Sequence, residues 1–204
     1  GDGDLDVVVA FADSVVGNRI VAFENEGGEA LSWVKMYSIY EGATPGWDLR
    51  RLAFGDLNRD GLEDIAMIFY DSDRVAWFRN RASFDFSPTS ISWDPDGSEP
   101  GQGFADGPTD LCVADLDGDG RLDIVTVSEN DGEVSWFRNS GGYFSPIPIA
   151  GQIGAPTAVS AMDMDGDGDA DVVVGRNFAG AAAGGAVWFE NVSGIATSWI
   201  THNL

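Results

Sequence analysis

Apolar residues along this chain come in short runs, and the same order of runs returns four times. VVVAF (7–11), IAMIF (65–69), IVTVS (124–128) and VVVG (172–175) are continuous apolar stretches. After a polar turn, each is followed by an aromatic run ending in asparagine: RIVAFEN (19–25), RVAWFRN (74–80), EVSWFRN (133–139) and AVWFEN (186–191). Looser runs come next (LSWVKMYSIY, FSPTSISW, YFSPIPIA, SWITHNL). Gly/Pro-rich connections then lead into DLRRLAFGD, TDLCVADLD and PTAVSAMDMD. Runs this short, rich in Val, Ile and Phe and bounded by turn residues, predict strands and not helices. Each full unit predicts four strands.

The unit repeats every ~50–60 residues, which is near the length of a propeller blade. One such sheet cannot bury both of its faces. Radial stacking of copies buries them, so the chain is expected to be all-β, a β-propeller of four-stranded antiparallel blades. A linear β-solenoid is the competing architecture, but its coils are normally much shorter than this period. Approximate blade boundaries fall at 1–46, 47–93, 94–150 and 151–204.

Composition narrows the picture. A hydrophobic fraction of 44%, with seven Trp and twelve Phe in 204 residues, argues for a packed core despite a net charge of −23. No run of about 18 apolar residues is present to span a bilayer as a helix. A surface this acidic repels phosphates and anionic lipid, so neither nucleic acid nor membrane insertion is expected. Cys112 stands alone in an apolar run and is expected to be a buried, inert thiol.

The acidic residues are clustered at a fixed spacing. In Asp115-Leu-Asp117-Gly-Asp119-Gly-Arg121-Leu-Asp123, carboxylates recur at loop positions one, three, five and nine. Calcium takes six to eight oxygens, and closely spaced carboxylates on a tight loop supply them. Unscreened, those charges repel one another, so a cation is expected to hold the loop closed. Position seven is Leu62, Arg121 or Asp169 in different copies, which points to its backbone carbonyl as the ligand. The expected ligands are therefore Asp56, Asn58, Asp60, Leu62 and Asp64; Asp115, Asp117, Asp119, Arg121 and Asp123; and Asp163, Asp165, Asp167, Asp169 and Asp171. Asn58 lowers the charge of its loop, so weaker binding is expected there. An EF-hand is excluded, because its twelfth position needs Glu and holds Met67, Thr126 and Val174 here, each inside a predicted strand.

DxDGDGxxD before an apolar strand, followed by an [AS]WF[ER]N strand, resembles the FG-GAP/VCBS repeats of integrin-α-type β-propellers. The resemblance covers essentially the whole chain. It implies a calcium loop joining the first and second strands of each blade, in propellers most often of seven blades. It also implies that Phe23, Trp77, Trp136 and Trp188 pack between sheets. The opening GDGDLD aligns with Gly118–Asp123, leaving an incomplete site of Asp2, Asp4 and Asp6. Three complete blades and one lacking its first strand are therefore expected. The remaining blades would come from the same longer chain or from a second copy completing an eight-bladed ring.

No nucleophile elbow, HExxH or phosphate-gripping glycine loop is present, and the single histidine, His202, lies near the end of the sequence. An enzyme is not expected. The expected role is a calcium-stabilised extracellular or cell-surface module for adhesion or structural assembly, contacting protein, matrix or filament components. A lectin-like propeller holding glycans is the alternative. Irregular segments at 41–48, 93–108 and 176–186 are the candidates for specificity, with Trp47, Trp93 and Phe104 as rings for a ligand. Asn191-Val192-Ser193 is a sequon for N-glycosylation, in keeping with secretion.

Overall fold

The computed structural model describes residues 5–11, 18–25, 27, 33–42, 49–82, 85–90, 105–177 and 184–204. The described residues form strands and turns throughout. One sheet holds β1 (Val7–Phe11), β2 (Asn18–Asn25) and β3 (Trp33–Gly42). The second holds β4 (Leu49–Gly55), β5 (Asp64–Phe69), β6 (Arg74–Asn80) and β7 (Phe86–Ser90). The third holds β8 (Pro108–Ala114), β9 (Asp123–Ser128), β10 (Glu133–Asn139) and β11 (Phe144–Ala150). The fourth holds β12 (Ala155–Met162), β13 (Asp171–Asn177), β14 (Gly185–Asn191) and β15 (Trp199–Asn203). Strands in every sheet follow chain order and pair antiparallel. This is the expected all-β class: successive β-propeller blades, three of four strands and one of three.

Between blades, the innermost strands lie side by side, β4 against β8 and β8 against β12. The apolar core is divided accordingly. One cluster, with Ile20, Met67 and Phe78, fills the seam between the first and second sheets. Another, with Leu57, Ile68, Trp77 and Phe137, fills the next seam. A third, with Leu116, Trp136, Val174 and Phe189, joins the last two sheets. Both faces of the second strand of a blade are thus covered, which is why β5 and β9 are buried at every residue and read as unbroken apolar runs. Alternate residues serve opposite seams: Ala66 and Ile68 face the third sheet, Ile65 and Met67 the first. Each fully buried Val, Ile, Leu or Phe contributes about 1.5–3 kcal/mol by leaving water.

At the end of the blade opposite the aspartate loops, the turns between second and third strands of the second and third blades meet the chain entering the next blade. Gly132, at φ 66°, accepts a hydrogen bond from Ile153 N at 3.1 Å, and a Cβ there would sit 2.7 Å from Gly154 O. Only glycine permits that approach. In the second blade Asp73 holds the equivalent position at φ 51° and its carboxylate accepts from Gly107 N at 2.7 Å.

Candidate metal centre

All three complete aspartate loops join the first and second strands of their blades. The ninth-position aspartate opens the second strand and pairs with the last residue of the first: Gly55 with Asp64, Ala114 with Asp123, Met162 with Asp171. These carboxylates are buried. One oxygen of each accepts the N–H of loop position two, Leu57 at 3.2 Å, Leu116 at 3.2 Å and Met164 at 3.0 Å. The other accepts the N–H of the strand-ending asparagine, Asn80 at 2.8 Å, Asn139 at 2.7 Å and Asn191 at 2.8 Å. Asp6 makes the same bond to Asn25 N at 3.0 Å. Burial pushes Asp64 up and Asp123 up to about 6, against the lowering effect of these hydrogen bonds. Such a carboxylate gains from a neighbouring cation.

The position-one aspartates brace the loops from the other side. Asp56 accepts from Asp60 N and Gly61 N at 3.0 and 2.8 Å, and Asp115 from Asp119 N and Gly120 N at 3.1 and 2.8 Å. Asp163 accepts from Gly166 N and Gly168 N at 2.7 and 3.0 Å. As a result Asp115, Asp117 and Asp123 each offer an oxygen within 4.8 Å of the others, as do Asp163, Asp165 and Asp171. In the second blade Asn58 Nδ2 donates to Asp64 Oδ2 at 3.2 Å, while Asn58 Oδ1 is buried without a hydrogen-bond partner. An orphaned buried oxygen beside two carboxylates is what a hard, oxygen-seeking cation fits. The donor sets therefore suit calcium.

Position five does not join the converging group. Asp60, Asp119 and Asp167 turn toward the N–H of position seven, Leu62 at 3.1 Å, Arg121 at 2.8 Å and Asp169 at 2.9 Å. Of the incomplete first site only Asp6 is described; Asp2 and Asp4 lie outside the described residues.

Two features were not anticipated from the sequence. Arginines on the third strand reach the loops: Arg79 Nη2 lies 3.2 Å from Asp60 Oδ2, and Arg138 Nε 2.6 Å from Asp117 Oδ2. The strand-ending asparagines tie blade to blade. Asn139 Nδ2 donates to Leu57 O of the preceding blade's loop at 2.6 Å, and Asn191 Nδ2 donates to Leu116 O at 2.9 Å. The only trace of the first in sequence is the Arg/Glu alternation before Asn, and of the second, the recurrence of Asn itself.

Asn191 corrects the glycosylation reading. Its side chain is fully buried, with Nδ2 also donating to Ala170 O at 3.3 Å and Oδ1 accepting from Ala196 N at 3.1 Å. An amide nitrogen engaged in this way is not presented to solvent for modification. Trp77 and Trp136 pack between sheets as expected, and Trp188 stacks on His202 with centroids 4.2 Å apart. Phe23 is corrected in register: it pairs with Val7 as Phe78 pairs with Ile65, so Ala22 holds the tryptophan position in the first sheet. Trp47, Trp93 and Phe104 lie outside the described residues. Burial, and then the charge of Asp110, push the Cys112 thiol up to about 12, which leaves it un-ionised near neutrality.

Three overlapping stretches, residues 1–67, 56–126 and 115–174, match the sequence profile of the FG-GAP-like repeat. No curated protein matches the chain. Among solved structures, an Agrocybe aegerita lectin described as recognising non-reducing terminal N-acetylglucosamine superposes with a TM-score of 0.50 at 18% identity. The match covers 97% of this chain and 65% of the lectin's, and at that identity it shows a shared fold.

Proposed function

Because the chain belongs to the FG-GAP-like repeat family, we propose that it is a calcium-stabilised β-propeller binding module working outside the cell, in adhesion or assembly with protein or matrix partners. The observation that carries the calcium reading is the gathering of oxygens from positions one, three and nine at the junction of the first two strands in loops 115–123 and 163–171. Loop 56–64 repeats the hydrogen bonds that brace these loops, with Asn58 at position three. Asp56, Asn58 and Asp64, Asp115, Asp117 and Asp123, and Asp163, Asp165 and Asp171 would hold the ions, with Leu62, Arg121 and Asp169 offering backbone carbonyls. Bound calcium would supply charge compensation and rigidity, with no chemistry required of it. Loops of modest affinity, ~10⁻⁴–10⁻³ M as in extracellular modules, fill where calcium is millimolar. This supports an extracellular or cell-surface setting.

Rigid stacked sheets present their connecting segments as recognition surfaces. A second reading, a glycan-binding propeller, is supported by the lectin that shares this fold. Binding of the calcium-loaded chain to a glycan array and to immobilised matrix proteins, each repeated in chelator, separates the two. Calcium-dependent retention on matrix proteins with a blank glycan array supports the first reading. Specific glycan binding supports the second, and a blank on both surfaces contradicts a binding module of either kind.

A further inference from the structure

In the three four-stranded blades, the residue before the strand-ending asparagine changes charge: Arg79, Arg138 and Glu190. The register places the three equivalently, each one residue past a Phe that pairs with the second residue of the neighbouring strand, Phe78 with Ile65, Phe137 with Ile124 and Phe189 with Val172. From that position Arg79 and Arg138 bond Asp60 and Asp117 of their own loops at 3.2 and 2.6 Å. In the fourth sheet the same position brings a carboxylate toward a loop already carrying Asp163, Asp165, Asp167, Asp169 and Asp171. The next residue, Asn191, donates its backbone N–H to Asp171 Oδ1 at 2.8 Å, which holds Glu190 beside the loop.

No lysine or arginine of the fourth blade offsets this. Arg176 is the single Lys or Arg in residues 155–204, and its guanidinium sits at the far end of the sheet, bonded to Ile153 O at 2.9 Å and Asn203 Oδ1 at 2.7 Å. His202, stacked on Trp188, holds Glu190 Oε2 through Nε2 at 2.6 Å and so fixes the side chain in place.

We infer that the residue before the asparagine sets how far each loop depends on calcium. Arg79 and Arg138 act as built-in counter-ions for loops 56–64 and 115–123, while Glu190 makes 163–171 the tightest calcium loop and the one that opens without the ion. This rests on the calcium reading above. A unit charge ~6 Å from a divalent ion in water alters its binding about tenfold, so exchanging Glu for Arg amounts to about a hundredfold at low salt.

The test is calorimetric titration of the calcium-stripped chain with calcium chloride, with hydrogen exchange of peptides over 115–123 and 163–171 read at each step. The tightest step should protect 163–171. Glu190→Arg should weaken that step tenfold or more without changing 115–123, Glu190→Gln should fall between, and Arg138→Gln should tighten 115–123 about tenfold. Protection of 115–123 first, or a Glu190→Arg change under threefold, overturns the charge assignment while the calcium reading stands. If no loop is protected at millimolar calcium, both readings fall. The order of filling in the unmodified chain is informative by itself, even if a variant folds poorly.

Discussion

Asn139 and Asn80 hold the same place in the same motif, yet truncating them should have unequal effects. Asn139 is fully buried. Its Nδ2 donates to Leu57 O of the preceding blade at 2.6 Å and to Leu122 O at 2.9 Å, and its Oδ1 accepts from Gly142 N at 2.8 Å. Each such bond is worth about 0.5–1.5 kcal/mol net, and a buried carbonyl left without its donor costs about 1–3 kcal/mol more. Asn139→Ala should therefore destabilise by about 3–5 kcal/mol. Asn80 makes two bonds, to Glu63 O at 3.0 Å and from Ala82 N at 2.9 Å, both exposed. Water replaces these, so Asn80→Ala should cost about 1 kcal/mol. Urea unfolding of both variants at one saturating calcium concentration measures the difference. Costs agreeing within about 1 kcal/mol would refute the claim that the asparagine acts chiefly as a bolt between blades.

Arg59 sits at φ 61° where the other loops have Gly118 and Gly166; Arg59→Gly should raise stability by about 1 kcal/mol by urea midpoint, since the left-handed region costs a side chain about that much. A loss instead would mean that the Arg59 guanidinium, which lies over Gly120 of the next loop, matters more than the strain. Gly55→Ala would place a Cβ 2.8 Å from Leu122 Cδ1 and 3.0 Å from Val113 Cγ1 across the seam. Leu122 can shift but β-branched Val113 cannot, so a loss of about 1–3 kcal/mol is expected, and a neutral result would show that the inner strands can part. Asp123 holds its proton to about pH 6 in the folded, calcium-free chain, above the ordinary carboxylate value. Its contribution to stability is therefore full at low pH and is lost as pH rises through about 6. Carboxyl NMR in chelator should show a midpoint near 6 that falls when calcium is added, whereas a midpoint below 4 in chelator would contradict the burial argument.

Much of the architecture was legible because the repeat imposes one environment several times. IAMIF and IVTVS read as unbroken apolar runs since both faces of β5 and β9 are covered, and the aspartate spacing marks the turn that precedes them. What stayed hidden depends on partners distant in sequence. That Asn139 reaches Leu57 is settled by how blades stack, 82 residues apart, and no local pattern encodes it. A three-residue sequon carries no information on burial, so Asn191 read as exposed although the turn folds over it. Phe23 was misplaced by one register because Ala22 replaces the tryptophan that marks the strand elsewhere. The aspartate spacing made the convergence of positions one, three and nine in loops 115–123 and 163–171 legible, whereas the arginines that reach Asp60 and Asp117 from the third strand were not, because nothing near those aspartates in sequence encodes them.

The central claim is that calcium holds these loops, and a thermal melt of the chain in excess EDTA against millimolar calcium tests it most directly. With dissociation constants of ~10⁻⁴–10⁻³ M, each loop stabilises the folded chain by about 0.4–1.4 kcal/mol at millimolar calcium, so three loops together predict a melting temperature several degrees higher in calcium. Magnesium at the same concentration should give a smaller shift, because it demands stricter octahedral geometry. A melt unchanged between EDTA and calcium would mean that the hydrogen bonds to Asp64, Asp123 and Asp171 hold the loops unaided, and the account would be wrong.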